Sequence, residues 1–221
     1  MSGGRSDGRT VGRIGPAAVV LGCLLSVGPT VRLSGQDTLP IGYGTLKRDD
    51  IVLRVTTGQV EIQILPLDES VIRLLAPDTY RSLRDLIASR RTDITDQAQR
   101  AGVGHPALVL VSFFGAVPQA RFVPEDVNLT SRGRLFRPLA IVPISPAWSA
   151  QQLEARQQAM AIYLFDEGIG FREQLTVSYQ GLSTDAWSHS ALVLDRERAR
   201  VLARVRASPS PPPGARDTTR P

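Results

Sequence analysis

The sequence predicts a mainly β (α+β) fold, a β-sandwich with one inserted helix and a C-terminal helix. Short runs of β-branched and aromatic residues recur along the chain, and turn-forming residues separate them. Strictly alternating strands and helices are absent, which disfavours a doubly wound sheet. With 221 residues, of which 42% are hydrophobic, the chain is long enough to bury a substantial core.

The first predicted strands form a hairpin. Residues 51–55 are rich in β-branched side chains, and Thr57-Gly58 can turn the chain into residues 60–65. Apolar and polar residues alternate over 60–65, which is typical of a half-buried strand. Residues 71–75 (VIRLL) predict a third strand.

A helix and a buried strand follow. Apolar residues recur at three- and four-residue steps over residues 78–101, with Asp78 at the expected cap and Gly102 at the end. This pattern predicts the inserted helix. Residues 108–114 (LVLVSFF) are almost continuously apolar, which predicts a central strand buried on both faces.

The second half of the domain is predicted to contain shorter strands and a long helix. Pro138 and Pro143 predict an edge strand or a broken strand over 135–144. Three further strands are predicted at 127–130, 160–165 and 175–179, with a turn at Ser131-Arg132-Gly133 after the first of them. Residues 168–170 are predicted to connect the last two strands. A helix is predicted near 185–206, and it begins at a Ser183-Thr184-Asp185 cap.

The two ends of the chain differ from the domain at 49–207. Residues 1–13 carry three arginines and precede an apolar run at 17–28, which predicts a signal peptide over 1–35, cleaved after Gly35. Alternatively, Val20-Leu21-Gly22-Cys23 resembles a lipobox, and Cys23 is then a lipidation site. Residues 36–48 are predicted to be a linker, and 208–221 a disordered Pro-rich tail.

The distribution of charge argues against nucleic-acid binding. The chain has a net charge of +5, but residues 36–207 hold 20 basic and 19 acidic residues, which is close to balance. A phosphate-binding surface needs clustered cations, and the sequence of the domain shows no such cluster.

The stretch from Phe122 to Tyr179 also carries a family resemblance. Phe122-x-Pro124-x-Asp126-Val127-x-Leu129, the turn at Gly133, Phe136-x-Pro138, and the strands at 159–165 and 175–179 resemble immunoglobulin-like accessory domains of exported bacterial proteins. The resemblance implies a sandwich outside the cytoplasm, and it implies no catalytic residue.

Motifs that carry chemistry are absent from the sequence. His105 and His189 are the only histidines, and neither has a second histidine nearby at zinc-binding spacing. There is no nucleophile elbow and no phosphate-binding loop, so we predict no catalytic, cofactor-binding or metal-binding residue and no cofactor. Four acidic pairs (Asp49-Asp50, Asp68-Glu69, Glu125-Asp126 and Asp166-Glu167) are the candidates for a carboxylate site assembled in space.

One aromatic residue is a candidate contact for a partner. Trp148 lies in a Pro/Ser-rich connection, where an exposed indole would serve as a binding anchor. The alternative is that Trp148 covers an edge of the core.

These patterns predict an exported, non-enzymatic binding or structural domain in the periplasm, the cell envelope or the secreted fraction. Its partner would be an unidentified protein or envelope component, with membrane contact only through the leader or a lipid anchor. One alternative is an envelope hydrolase. The other is a peripheral membrane protein that uses the apolar stripe of the C-terminal helix, although docking of that stripe on the domain is the commoner arrangement. The stripe consists of Trp187, Ala191, Leu194, Val201 and Val205.

Overall fold

The structure, a computed structural model, describes residues 39–207 as a mixed α+β fold with antiparallel sheets and a C-terminal helix. The predicted signal peptide with Cys23 and the Pro-rich tail at 208–221 lie outside the described residues. Leu39 and Leu46 are buried, so part of the segment predicted as a linker contributes to the core.

The larger sheet has five antiparallel strands, and the apolar run that predicted a central strand lies in its middle. In spatial order the strands are β1 (Leu53–Thr56), β2 (Val60–Pro66), β3 (Ala107–Gly115), β9 (Gln158–Phe165) and β7 (Ala140–Pro143). The hairpin of β1 and β2 is confirmed, with Val55 opposite Ile62. Thr57 sets the turn, because its Oγ1 accepts hydrogen bonds from the N–H groups of Gln59 and Val60.

The smaller sheet has four antiparallel strands. In spatial order they are β11 (Leu182–Thr184), β10 (Leu175–Tyr179), β5 (Asn128–Ser131) and β6 (Arg134–Phe136). The turn predicted at residues 131–133 joins β5 to β6, and Arg132 and Gly133 both have positive φ, at 52° and 74°. Such a turn favours glycine at its second central position. A separate short pair is formed by β4 (Ala120–Arg121) and β8 (Gln152–Leu153).

The sheet topology confirms two further strand predictions and adds detail to both. Residues 135–144 are a broken strand: they include most of β6 and all of β7, Pro138 lies between the two, and β7 is an edge strand of the other sheet. The strands predicted at 160–165 and 175–179 are β9 and β10, and the connection between them crosses from the larger sheet to the smaller one.

The helical predictions need two corrections. Residues 71–75 are not a strand: they fall in the end of the short helix α1 (Glu69–Ile72) and the turn after it, and Asp68 caps α1 by accepting a hydrogen bond from the Ser70 N–H. The single helix expected over 78–101 is two helices, α2 (Pro77–Ser89) and α3 (Arg91–Arg100), separated at Arg90. Ala76, not Asp78, is the residue that precedes α2.

The C-terminal helix α4 (Trp187–Ala207) confirms the helix predicted near 185–206. Trp187, Leu194 and Val201 of the predicted stripe are buried, and Ala191 and Val205 pack against the core. The stripe therefore docks on the domain. Three short 3-10 helices complete the described elements, at Arg48–Asp50, Pro124–Asp126 and Pro146–Ala150.

An aromatic cluster connects the two sheets. Phe113 of β3 stacks on Phe122 with 4.5 Å between ring centroids, and it meets Tyr179 of β10 edge-on at 5.8 Å. The Tyr163 hydroxyl donates to the carbonyl of Pro124, and the Tyr179 hydroxyl accepts from the N–H of Val123. Burial raises the pKa of both phenols. The two tyrosines therefore fix the segment at 123–124 against the core.

Candidate functional site

The loop at residues 166–174, which leads from the larger sheet to the smaller one, is held at several points. Ser131 Oγ accepts a hydrogen bond from the Gly170 N–H, and Trp187 Nε1 donates to the carbonyl of Phe171. Arg134 forms an ion pair with Asp166 at 2.6 Å. The buried side chains of Ser131 and Trp187 therefore fasten this loop to the smaller sheet and to the start of α4.

Two clefts open on either side of an ion pair between Arg132 and Glu173. The first has a volume of about 430 Å³ and the second about 480 Å³, which is the usual size of a ligand pocket. Their walls come from β5, the β5–β6 turn, the loop at 166–174, β10 and the start of α1. We call the two clefts together the loop cleft. The residues that line it are Asp68, Ser70, Thr130, Arg132, Gly133, Ile169–Gln174 and Thr176.

The electrostatics of the loop cleft are balanced. Two arginines, Arg132 and Arg172, face two acids, Asp68 and Glu173. A bidentate hydrogen bond from Arg132 holds the pKa of Glu173 below its ordinary value. The hydroxyls of Thr130 and Thr176 add uncharged donors and acceptors. This arrangement can hydrogen-bond a neutral polar ligand.

Gly170 lies close to the ion pair of the loop cleft. A Cβ at this position would lie 3.3 Å from the side chain of Glu173 and 3.4 Å from Arg132 Nη2. A larger residue would therefore require the Glu173 side chain to move by a few tenths of an ångström. The sequence marks residues 168–170 as a connection, but it gives no sign of this close approach.

The acidic pairs of the sequence are dispersed, and most of these acids contact neighbouring groups of the fold. Asp49 pairs with Arg54, and Glu69 pairs with Arg73 and Arg84. The remaining contacts are the Lys47 N–H with Asp50, the Ser70 N–H with Asp68, Arg134 with Asp166, and the His105 N–H with Glu167. Of the four pairs, only Asp68 lines the loop cleft.

The two histidines and the candidate tryptophan do not join the loop cleft. His105 and His189 are both exposed. Trp148 is only 6% exposed, and it packs against Phe113, Phe122 and Tyr163. Its indole therefore belongs to the core, which is the alternative that the sequence left open.

A buried polar cluster on α4 has no counterpart in the sequence analysis. The Glu197 side chain is fully buried, and its Oε1 accepts hydrogen bonds from the N–H and the hydroxyl of Thr45 and from Arg204. Burial alone would raise the pKa of Glu197, but the hydrogen bonds from Arg204 and Thr45 outweigh it and hold that pKa below the ordinary value. Arg198 donates to the carbonyl of Ser70. We call these residues the α4 anchor.

Within residues 39–207, no helix combines the length and apolarity of a membrane span. In the same range, no three His, Cys, Asp or Glu side chains lie together as metal ligands. The chain matches no protein-family model, no curated protein and no solved structure.

Proposed function

We propose that this chain is an exported, non-enzymatic domain that binds a neutral polar component of the cell envelope in the loop cleft. The observation that carries the proposal is a pair of clefts that gather polar groups around the ion pair of Arg132 with Glu173. A concave site of this size with convergent polar groups is a form that small-ligand sites take. Its one carboxylate of shifted pKa, Glu173, is stabilised in the ionised form by Arg132.

The alternative of a carboxylate-dependent hydrolase has less support. A glycosidase needs two carboxyl groups about 5–10 Å apart, one of them with a raised pKa. Arginines and backbone N–H groups contact six of the eight acids in the four pairs. These acids therefore take part in contacts within the fold, and they are dispersed rather than gathered at one site.

We further propose that the two sheets form a β-sandwich of the immunoglobulin-like type. The aromatic contacts between β3 and β10 support this arrangement, because they bury the facing sides of both sheets. The stretch that carries the family resemblance contains every strand of the smaller sheet except β11. Export is consistent with this fold type and with the Arg-rich leader.

Export and the absence of turnover are tested together. In the native host, cell fractionation should place the protein outside the cytoplasm, and N-terminal sequencing should find it beginning near Gln36 or, if lipidated, at Cys23. A screen of hydrolase substrates should give no activity above background. A cytoplasmic protein that retains Met1 would contradict export, and turnover that is lost in Asp126→Asn would favour the hydrolase.

Binding in the loop cleft is tested with two matched substitutions on one face of β10. Thr176 lines the cleft, whereas Ser178, two residues further along the same face, does not. We expect Thr176→Arg to fill the cleft and weaken the binding of neutral oligosaccharides by about tenfold or more, which is about 1.4 kcal/mol. Ser178→Arg should leave the affinity unchanged. Isothermal titration calorimetry of an oligosaccharide panel supplies the measurement, and equal losses in both variants would exclude the cleft.

A further inference from the structure

The two edges of the larger sheet differ in what lies beside them. The β1 edge is close to the smaller sheet, where β1 contacts β10 and β11. The β7 edge has no strand beyond it among residues 39–207, since β7 pairs only with β9. An open strand edge presents unpaired N–H and C=O groups that can pair with another chain.

The backbone of β7 shows which groups are available. Ile144 donates its N–H to the carbonyl of Met160 across the β7–β9 ladder. Because successive residues of an antiparallel strand point their backbone groups to opposite edges, Val142 faces β9 and Ile141 faces away from it. The N–H and C=O of Ile141 and the C=O of Pro143 therefore point to the open edge. Pro143 has no N–H to leave unpaired there.

Helix α3 forms a wall beside this edge. A groove of about 190 Å³ lies between the helix and the strand, and residues 141–143 form its strand side. The helix side comes from residues at positions i, i+3, i+4 and i+7, which share one face. These residues are Asp93, Asp96, Gln97 and Arg100. The adjoining face of α3 is buried through Ile94 and Ala98, which fixes the orientation of the helix beside the edge.

The charges of the groove change sign along the helix. Asp93 is partly neutralised by Arg90 at 3.7 Å, Asp96 lies one turn further, and Arg100 is at the C-terminal end. Asp96 and Arg100 are about 6 Å apart along the helix axis. Alternate residues on one side of an extended strand are about 6.7 Å apart. A strand with opposite charges two residues apart therefore fits both side chains.

We propose that an extended segment of a partner protein adds to the β7 edge, with a basic and an acidic residue at alternate positions facing Asp96 and Arg100. The N–H of Ile141 donates a hydrogen bond to the added segment and its C=O accepts one. The side chains of α3 then determine which residues of the partner segment are preferred. This is the strand-addition mode of peptide recognition, in which main-chain bonds give affinity and alternate side chains give specificity. The groove shares no residue with the loop cleft, so strand addition at β7 and ligand binding in the loop cleft can be tested independently.

The test uses capped synthetic peptides that differ only in charge order. The set is acetyl-Thr-Lys-Val-Glu-Thr-amide, the same peptide with Lys and Glu exchanged, and the versions with two Lys, two Glu or two Ala. We expect the wild-type chain to prefer one of the two mixed peptides, by about fivefold over the other, because a solvent-exposed ion pair contributes up to about 1 kcal/mol. The double variant Asp96→Arg/Arg100→Asp should prefer the opposite order. Fluorescence anisotropy of labelled peptides measures both preferences.

Two further variants test the backbone contact. Ile141→Pro removes the outward N–H and should lower the affinity for the preferred peptide by about tenfold. Ile141→Val keeps the N–H and should bind the peptide as the wild type does. Circular dichroism checks that both variants are folded. The proposal fails if no peptide binds or if the charge swap leaves the preferred order unchanged. It also fails if sedimentation shows an Ile141-dependent dimer, because the occupant of the edge would then be a second copy of this chain.

Discussion

Leu110→Asp should unfold the domain. Leu110 is 2% exposed in the middle of β3, where its neighbours across the sheet are Leu65 and Ile162. A carboxylate at this position would be buried without a partner, which costs several kcal/mol, and the neutral acid would still leave polar atoms unsatisfied. The free energy of unfolding of a domain is about 5–15 kcal/mol, so one buried, unpaired carboxyl group can be enough to unfold it. We expect far-UV circular dichroism without the native strand signal and the loss of a cooperative denaturant transition.

Leu135→Asp is the matched control for this prediction. Leu135 lies in β6 and is 52% exposed, so the same change places the carboxylate in water. Its free energy of unfolding should remain within about 0.5 kcal/mol of the wild-type value. If Leu110→Asp folds as well as this control, water reaches that face of β3 and the strand is not central to the core.

The strands were predictable where one residue pattern decides the structure. The continuous apolar run at 108–114 allows few alternatives to a strand buried on both faces, and the alternation at 60–65 fixes which side of β2 faces the core. What such patterns do not specify is which sheet a strand joins. The strands β9 and β10 were both predicted, yet their partners depend on how residues 166–174 cross between the sheets.

The helical errors have local causes. Residues 71–75 are β-branched enough to predict a strand, but the Asp68 cap and the tertiary contacts of Val71 and Ile72 favour a helical turn instead. No glycine or proline marks the break at Arg90, so the apolar spacing continued across it. The separation of α2 and α3 is therefore a tertiary feature, and it places α3 beside β7.

Neither the loop cleft nor the α4 anchor could be read from the sequence. The cleft combines residues near 68, 130 and 172, which only the fold brings together. On α4, Glu197 lies in a run of charged residues, and acids of amphipathic helices usually contact water, so nothing in the sequence marks it as buried. The structure places it in the interior because Thr45 and Arg204 supply hydrogen bonds there.

Substitution of Glu197 should have the second large effect. Removing the Glu197 carboxylate takes away the acceptor of hydrogen bonds from Thr45 and Arg204, but the Arg204 side chain is 38% exposed, so water can replace part of these contacts. We expect Glu197→Ala to lose about 1–3 kcal/mol of stability at neutral pH. Glu197→Gln keeps an oxygen that can accept from Thr45, so its loss should be smaller. Asp195→Asn, on the exposed side of the same helix, should be nearly neutral. Denaturant titrations of the four proteins give the comparison.

The pH dependence distinguishes the charge of Glu197 from its shape. Because the folded pKa of Glu197 lies below its ordinary value, ionisation contributes stability that is fully present above the unfolded pKa of about 4.3. That contribution disappears as the pH falls through the folded pKa. The difference in unfolding free energy between the wild type and Glu197→Gln should therefore be constant from about pH 7 to about pH 5 and then narrow in more acidic solution. If the difference in unfolding free energy between the wild type and Glu197→Gln instead increases in acid, Glu197 is protonated in the native domain. The α4 anchor would then be stabilised by packing and neutral hydrogen bonds rather than by charge.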